Sequence, residues 1–290
     1  MFVIKYKKVF VALSAILVGL SLISIFTFGL NFGIDFKGGS QMEVSYTGAR
    51  PEQSVIEASL KTLALGESIV QGSGVDSYSV KTRVLTEGER VSVLAAMGVG
   101  ATEKSFTSIG PSVGAELVRK SVISFILVSL GIIFFIAFSF RKVSKPVSSW
   151  KYGLIAIGTL IHDILIPVGV FVALSKFYGA EVDTLFVVAI LTILGLSVSD
   201  TIVVFDRIRE NIRSHAYKTF EETVGKSLEQ VYTRSICTSL TVILSLLALV
   251  FFGPHSTRNF AMMLTAGMFF GTYSSIFLAS PLLVLLNKQK

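Results

Sequence analysis

Long apolar runs alternate with short charged segments along most of this chain, and only residues 31–120 break the rhythm. A helical run of ~20 apolar residues, rising about 1.5 Å per residue, crosses a hydrocarbon core of about 30 Å. Six runs meet that length: Val9–Leu30, Ser121–Phe140, Tyr152–Leu174, Thr184–Phe205, Arg234–Phe252 and Phe260–Leu286. The first follows Lys5, Lys7 and Lys8; it is too long for a signal peptide, and no small-x-small cleavage site closes it. It is therefore expected to stay as an uncleaved first span.

Between the first and second runs the period changes. Gln41 to Tyr46 alternates as a strand does, and so does Ser77–Val84 through Tyr78, Val80, Thr82 and Val84. Pro51–Leu65 carries Val55, Ile56, Leu60 and Leu63 at helical spacing, with Pro51 placed for a first turn. Ser68–Gln71 and Lys104–Ile109 are further strand candidates, and Glu87–Met97 is a second helix candidate, weakened by Val91, Ser92 and Val93. The order strand, helix, strand, strand, helix, strand predicts a small α+β ferredoxin-like domain. The expected division is a first span over residues 1–30, this domain over 31–120, and the remaining five spans over 121–290. Ile109–Leu117 reads as a linker, in which Gly110 and Pro111 end the strand and Gly114 permits a turn.

Composition agrees with the pattern. Hydrophobic residues make up 52% of the chain and charged ones 16%, against roughly 25% charged in soluble domains. The formal net charge of +7 needs no nucleic acid to explain it, because surplus Lys and Arg collect on the cytoplasmic side of membrane proteins. Arg141, Lys142, Lys145 and Lys151 mark one inside loop, the 206–233 segment another, and Lys288 and Lys290 the tail. Both termini are then cytoplasmic and residues 31–120 lie outside. Thr219–Val231, with Phe220, Val224, Leu228 and Val231 on one face, is expected to lie as an amphipathic helix at the inner interface. The single cysteine, Cys237, excludes an intrachain disulfide and is expected to pack. The outer domain has no His or Cys cluster and no phosphate-binding loop, and His215 and His255 form no metal pattern. No enzyme chemistry, cofactor or metal is expected.

The candidate chemistry is inside the membrane. Asp163 falls near the middle of the third span, and Asp200 in the inner half of the fourth, with Ile202 to Phe205 still to follow. A carboxylate there costs roughly 2.5–3.5 kcal/mol on insertion scales, and such residues commonly face a bundle interior and carry protons or ions. Ser197 and Thr201 flank Asp200 on its helix. Arg234, Thr238, Thr241 and Ser245 share a face of the fifth span, expected to point away from lipid. Two readings stay open. In one, the hydroxyls are interhelical glue and Arg234 snorkels to the headgroups; in the other, Asp200 and Arg234 meet, and protonation moves the helices. His162 reads as a hydrogen-bonded packing residue. Gly267, Gly271, Ser275 and Ala279 form a small-residue stripe for close helix packing.

Five segments together resemble one family: GIDFKGG, IGPSVGAEL, the His162-Asp163 pair, SVSDTIVVFDRIREN and RSICTSLT. They resemble, at matching spacing over nearly the whole chain, the SecD/SecF family of bacterial protein-export membrane subunits, part of the RND superfamily. Within it the chain is similar to the smaller subunit. The resemblance implies half of an RND-type bundle and a SecD partner supplying six more spans. It also implies work beside the SecYEG channel with YajC, and preproteins as substrates drawn across the inner membrane by the proton-motive force. It places the family's proton-coupling positions on Asp200, Arg234 and Asp163. Asp206, Arg207, Arg209, Glu210 and Asn211 match the family's charged motif, expected here to be a cytoplasmic collar with folding phenotypes at Arg207 and Glu210. Gly33, Asp35, Gly38 and Gly39 match the glycine motif after the first span, and Gly110, Pro111 and Gly114 the segment before the second. A structural scaffold for the partner, with no proton role, is the alternative.

Overall fold

The computed structural model describes residues 2–140 and 148–287. Arg141, Lys142, Lys145 and the 288–290 tail, read above as basic inside segments, lie outside the described residues. In chain order the elements are α1 (Phe2–Lys5), α2 (Lys7–Phe28), α3 (Ile34–Lys37), β1 (Gly39–Tyr46), α4 (Gln53–Lys61), β2 (Ile69–Gly72), β3 (Ser77–Thr82), α5 (Glu87–Ala96) and β4 (Ala101–Ile109). The long helices follow: α6 (Pro111–Phe140), α7 (Ser149–Tyr178), α8 (Thr184–Arg213), α9 (Phe220–Phe252) and α10 (His255–Ser274). A π-helical turn, Ser275–Ala279, and α11 (Ser280–Leu286) close the chain. Among the described residues, six helical stretches are long and apolar enough to cross a membrane, so the chain is a multi-pass membrane protein with a small antiparallel sheet domain. It divides into two compact units: residues 32–123 with 181–184, and the rest.

The smaller unit has sheet order β2-β3-β1-β4, every neighbouring pair antiparallel. With α4 and α5 between the strands, this is the ferredoxin-like order that the alternation predicts. Met42, Val44 and Tyr46 from β1 and Tyr78 and Val80 from β3 turn one face inward, where Ile56 and Leu60 of α4 and Val93 of α5 cover it. The β-branched residues that weaken α5 as a sequence signal are overridden by its start. Thr86 and Glu89 form a capping box, with the Thr86 amide donating to Glu89 Oε2 at 2.8 Å. The Arg83 guanidinium hydrogen-bonds the same carboxylate and, with Thr86, holds Glu89 down to about 2. Val93 is fully buried while Val91 faces out. The last strand begins at Ala101, three residues before the expected Lys104, because Ala101 pairs with Tyr46 across a bulge at Glu43/Val44.

The segment before the second span is not a linker. Pro111 opens α6, and Gly114 lies inside that helix rather than in a turn. Proline suits a first helical turn because its missing N–H is an orphan there anyway.

In the larger unit α7 and α10 are the most buried spans, whereas α2, α6 and α9 keep most of their surface outward. The small-residue stripe packs on α8. A Cβ on Gly267 would collide with Ile193, one on Gly271 would touch Ser197 at 3.4 Å, and Ser275 bonds Thr201 at 2.9 Å. Contacts advance together along both helices, so α8 and α10 run parallel. Two expectations are corrected on α9. The amphipathic stretch and the fifth span are one continuous helix, capped by Thr219 accepting from the Glu222 amide. Its Val224 and Leu228 are fully buried, so the apolar face packs on protein rather than lying at an interface. Second, Cys237, expected to pack, is exposed; Arg234, Thr238, Thr241 and Ser245 share one exposed face of the single chain, and the face packed within it carries Ser235 and Ser239.

Candidate functional site

Asp163 has no exposed surface and sits where three spans meet. Its Oδ1 lies 2.8 Å from His162 Nδ1 on α7. Its Oδ2 accepts from Ser197 on α8 and from Ser274 on α10, the latter at 2.7 Å. Two serine hydroxyls, with the imidazole nitrogen beside them, thus replace the water that a buried carboxylate loses. Local sequence explains the placement. Pro167 lies four residues on, inside α7, and has no N–H to give the Asp163 carbonyl. On α10 the π-helical turn starts directly after Ser274. Such a turn carries one extra residue, and here successive serines reach different helices: Ser274 bonds Asp163 on α7, and Ser275 bonds Thr201 on α8. A single protonation at Asp163 would therefore alter bonds to two other spans at once.

Asp200 is half-buried, with looser contacts. Its Oδ2 is 3.5 Å from both Ser239 Oγ on α9 and Thr272 Oγ1 on α10, and those hydroxyls bond each other at 2.6 Å. The hydroxyls expected to serve Asp200 serve other groups: Ser197 bonds Asp163 and Thr201 bonds Ser275. Arg234 is exposed, and among the described residues no ion pair within 4.0 Å joins it to Asp200. The carboxylates share two helices, α8 and α10, through Ser197 and Ser274 on one side and Thr272 on the other.

The charged motif at the end of α8 divides by burial. Arg207 bonds Glu210 at 2.7 Å, and Arg209 stands 3.5 Å from Asp206; both are i,i+3 pairs along the helix surface. Asn211 is the buried member: its Nδ2 donates to Ser227 Oγ at 2.8 Å and to Gln230 Oε1 at 2.9 Å, tying α8 to α9.

Within the smaller unit, the glycine motif forms a tight joint. Gly38 and Gly39 adopt φ of 78° and 142°, and a Cβ on Gly39 would fall 2.7 Å from the Thr82 carbonyl oxygen, so other residues are excluded there. Gly33 donates to the Val182 carbonyl at 2.9 Å and leaves room for Glu181, while Asp35 Oδ2 accepts from the Thr184 amide at 2.9 Å. Gly114 lets α6 approach the Phe36 carbonyl, at 3.0 Å from its would-be Cβ, whereas Gly110 has open space around it.

The sequence reading missed Ser197 and Ser274 as ligands of Asp163, Thr272 and Ser239 beside Asp200, and the anchoring role of Asn211. Usable signals existed. Pro167 four residues after Asp163, and the Ser274-Ser275 pair within the small-residue stripe, both mark a helix altered for a purpose.

Comparison with known proteins bears on what the arrangement does. Residues 90–289 match the C-terminal family of protein export membrane protein SecD/SecF, and residues 23–49 the SecD/SecF GG motif. Protein translocase subunit SecF of Thermobaculum terrenum is 39% identical, over 97% of this chain and 92% of the relative. The subunit of the same name from Pseudomonas aeruginosa is 34% identical, over 97% and 90%. The crystal structure of SecDF from Thermus thermophilus, a translocon-associated membrane protein, superposes with a TM-score of 0.85 at 31% identity. The match covers 99% of this chain, which spans 38% of the SecDF chain.

Proposed function

Because the chain belongs to the SecD/SecF family of protein export membrane proteins, we propose that it is a non-enzymatic subunit of the Sec export accessory complex. It uses the proton-motive force to assist preprotein translocation across the bacterial inner membrane. Its partner is a SecD-like subunit supplying the other half of the bundle, and the pair acts beside SecYEG with YajC. Both termini are cytoplasmic and residues 31–120 face outward. Asp163 and Asp200 take up protons, and Arg234, exposed on α9, is the cation that answers them. The domain division of the sequence reading goes with this proposal: an anchoring first span, an outer domain that meets preprotein or partner, and a five-helix proton-coupling remainder.

The observation that carries the reading is the Asp163 cluster, a fully buried carboxylate whose bonds come from three spans. The magnitudes are compatible. One elementary charge crossing the membrane field yields about 2.3 kcal/mol per 100 mV, and a hydrogen bond to a charged group contributes about 1.5–3 kcal/mol net. One proton can therefore exchange one such bond for another, which is what moving α10 against α7 requires.

The test is Asp163→Asn and Asp200→Asn, separately, in membrane vesicles carrying the full complex. Stimulation of export by the proton-motive force should fall to the level of vesicles without the complex, while the partner still co-purifies. Unchanged stimulation in both variants contradicts the proposal. Loss of co-purification instead favours the scaffold reading, in which the serine bonds to Asp163 serve only to hold helices together.

A further inference from the structure

We propose that the cleft between α6 and α8 is a lipid site. It holds an acyl chain of an inner-leaflet phospholipid whose headgroup carries both a phosphate and a primary ammonium, the phosphate on Arg209 and the ammonium on Asp206. The site stands whether or not the buried carboxylates carry protons.

The cleft is cut by missing side chains. Its walls include Ile132 and Phe135 of α6 and Val198 and Ile202 of α8, and its volume is about 470 Å³. An apolar cavity of about 150 Å³ already takes a benzene molecule, so a hydrocarbon chain has room. Gly131 and Gly195 lie on opposite walls. Among the described residues, nothing outside each helix's own backbone comes within 4 Å of a Cβ built on either. Gly267 differs, since a Cβ there would collide with Ile193. Close helix packing therefore accounts for Gly267 but not for Gly131 or Gly195, and neither of these two adopts a positive φ. Alanine would favour the helix at both positions; what glycine preserves there is the space.

Depth and polarity fix the occupant. On α8 the cleft runs from Gly195 to Val203, about 12 Å at 1.5 Å per residue. It begins eleven residues after Thr184 in a helix of 30 residues, which is inner-leaflet depth when both termini are cytoplasmic. Ser199 alone among the lining residues has a polar side chain, so a bare hydrocarbon chain suits the walls. The charges stand at the inner end. Arg209 follows Ile202 by two helical turns and so lies on the same side of α8. Its Nη1 donates to the Ser139 carbonyl of α6 at 3.4 Å, bridging the two walls where the cleft ends. Its Nη2 is 3.5 Å from Asp206 Oδ1, and the two side chains are 27% and 61% exposed. A guanidinium has five N–H donors, so these contacts leave capacity for a phosphate, which arginine binds through oriented hydrogen bonds. Asp206 follows Ile202 by one turn, on the same line. An anionic headgroup would meet that carboxylate with no cation of its own. The ammonium of a zwitterionic headgroup makes the carboxylate a partner, and a quaternary ammonium has no N–H to donate to it.

The test uses the assembled complex in nanodiscs, with phosphatidylethanolamine bearing a photoreactive diazirine midway along one acyl chain. After illumination, mass spectrometry should find the label concentrated on residues 128–135 and 195–203, well above that on the outward-facing α2. Phosphatidylglycerol and phosphatidylcholine probes with the same chain should label the cleft only at the α2 level. Gly131→Leu with Gly195→Leu fills the cleft and should lower labelling by phosphatidylethanolamine there about tenfold. Arg209→Gln with Asp206→Asn leaves the walls intact and should lower it by about the same factor, the loss of one charge-assisted hydrogen bond. Retained melting temperature and partner co-purification show that a variant is folded; if the glycine pair fails to assemble, the charge pair still decides. Label spread evenly over the exposed spans, or undiminished in the folded variants, overturns the proposal. Equal labelling of the cleft by phosphatidylglycerol overturns the headgroup assignment. An unlabelled cleft in the wild type, with the glycine pair losing the partner, gives the cleft to a partner helix and overturns the lipid site.

Discussion

Asn211 and its neighbours show how little charge alone says about structural weight. Arg207 and Glu210 pair at 2.7 Å, but their side chains are 38% and 65% exposed, and such surface pairs contribute about 0.3–0.5 kcal/mol. Asn211 is 7% exposed and bonds two residues of α9. Replacing it leaves the buried Ser227 hydroxyl without its donor, at about 1–3 kcal/mol, whereas the exposed Gln230 amide can turn to water. Asn211→Ala should therefore lower the melting temperature in detergent well beyond Arg207→Ala or Glu210→Ala. Equal losses in all three would contradict this placement of the anchor. Glu89 gives a second residue-scale prediction. Its carboxyl is depressed from 4.5 to about 2, first by the Arg83 hydrogen bond and then by Thr86. A depressed folded-state value means stability that is fully present above about 4.5 and lost as pH falls through about 2. Glu89→Gln should remove that part of the acid sensitivity, seen as a flatter dependence of melting temperature on pH over the same window.

At the scale of elements, the long helices were legible because hydrocarbon thickness fixes their length. The four strands were legible because alternation marks a half-buried sheet. What escaped was continuity. The Thr219–Val231 segment and the fifth run are polar on one stretch and apolar on the next, which reads as two helices; no breaker separates them, and α9 is one. Pro111 likewise reads as the end of a strand and is also the start of a helix. The small-residue stripe was legible as a packing face, though its partner was not, since pairing of distant helices leaves no local trace. That partner is α8, which predicts an asymmetry among glycines. Gly267→Leu must displace Ile193 and should cost about 1–3 kcal/mol. Gly195→Ala, with open space around its Cβ position, should be neutral or slightly stabilising, since alanine is the better helix former by about 0.8–1 kcal/mol. Thermal unfolding of the purified chain distinguishes the two. A Gly267→Leu variant as stable as wild type would contradict the close α8–α10 approach.

For the whole molecule, the six spans and the family were readable from the chain, and two candidate carboxylates were found by asking where charge lies at membrane depth. Their relative weight was not readable. Asp200 stood out because apolar residues surround it in sequence, yet Asp163 is the one enclosed, because its donors come from residues 34 and 111 positions away. The spacing of Arg234 with Thr238 and Thr241 defines a helix face without saying what covers it, so its two readings stayed open in the sequence. In the single chain that face is open, as expected for a half-bundle that meets a second one. Proton movement through this half is tested most directly by proton flux into proteoliposomes carrying the assembled complex, under an imposed pH gradient. Flux should be present in the wild type and absent in Asp163→Asn, with the partner retained in both. Equal flux in the two would contradict the account.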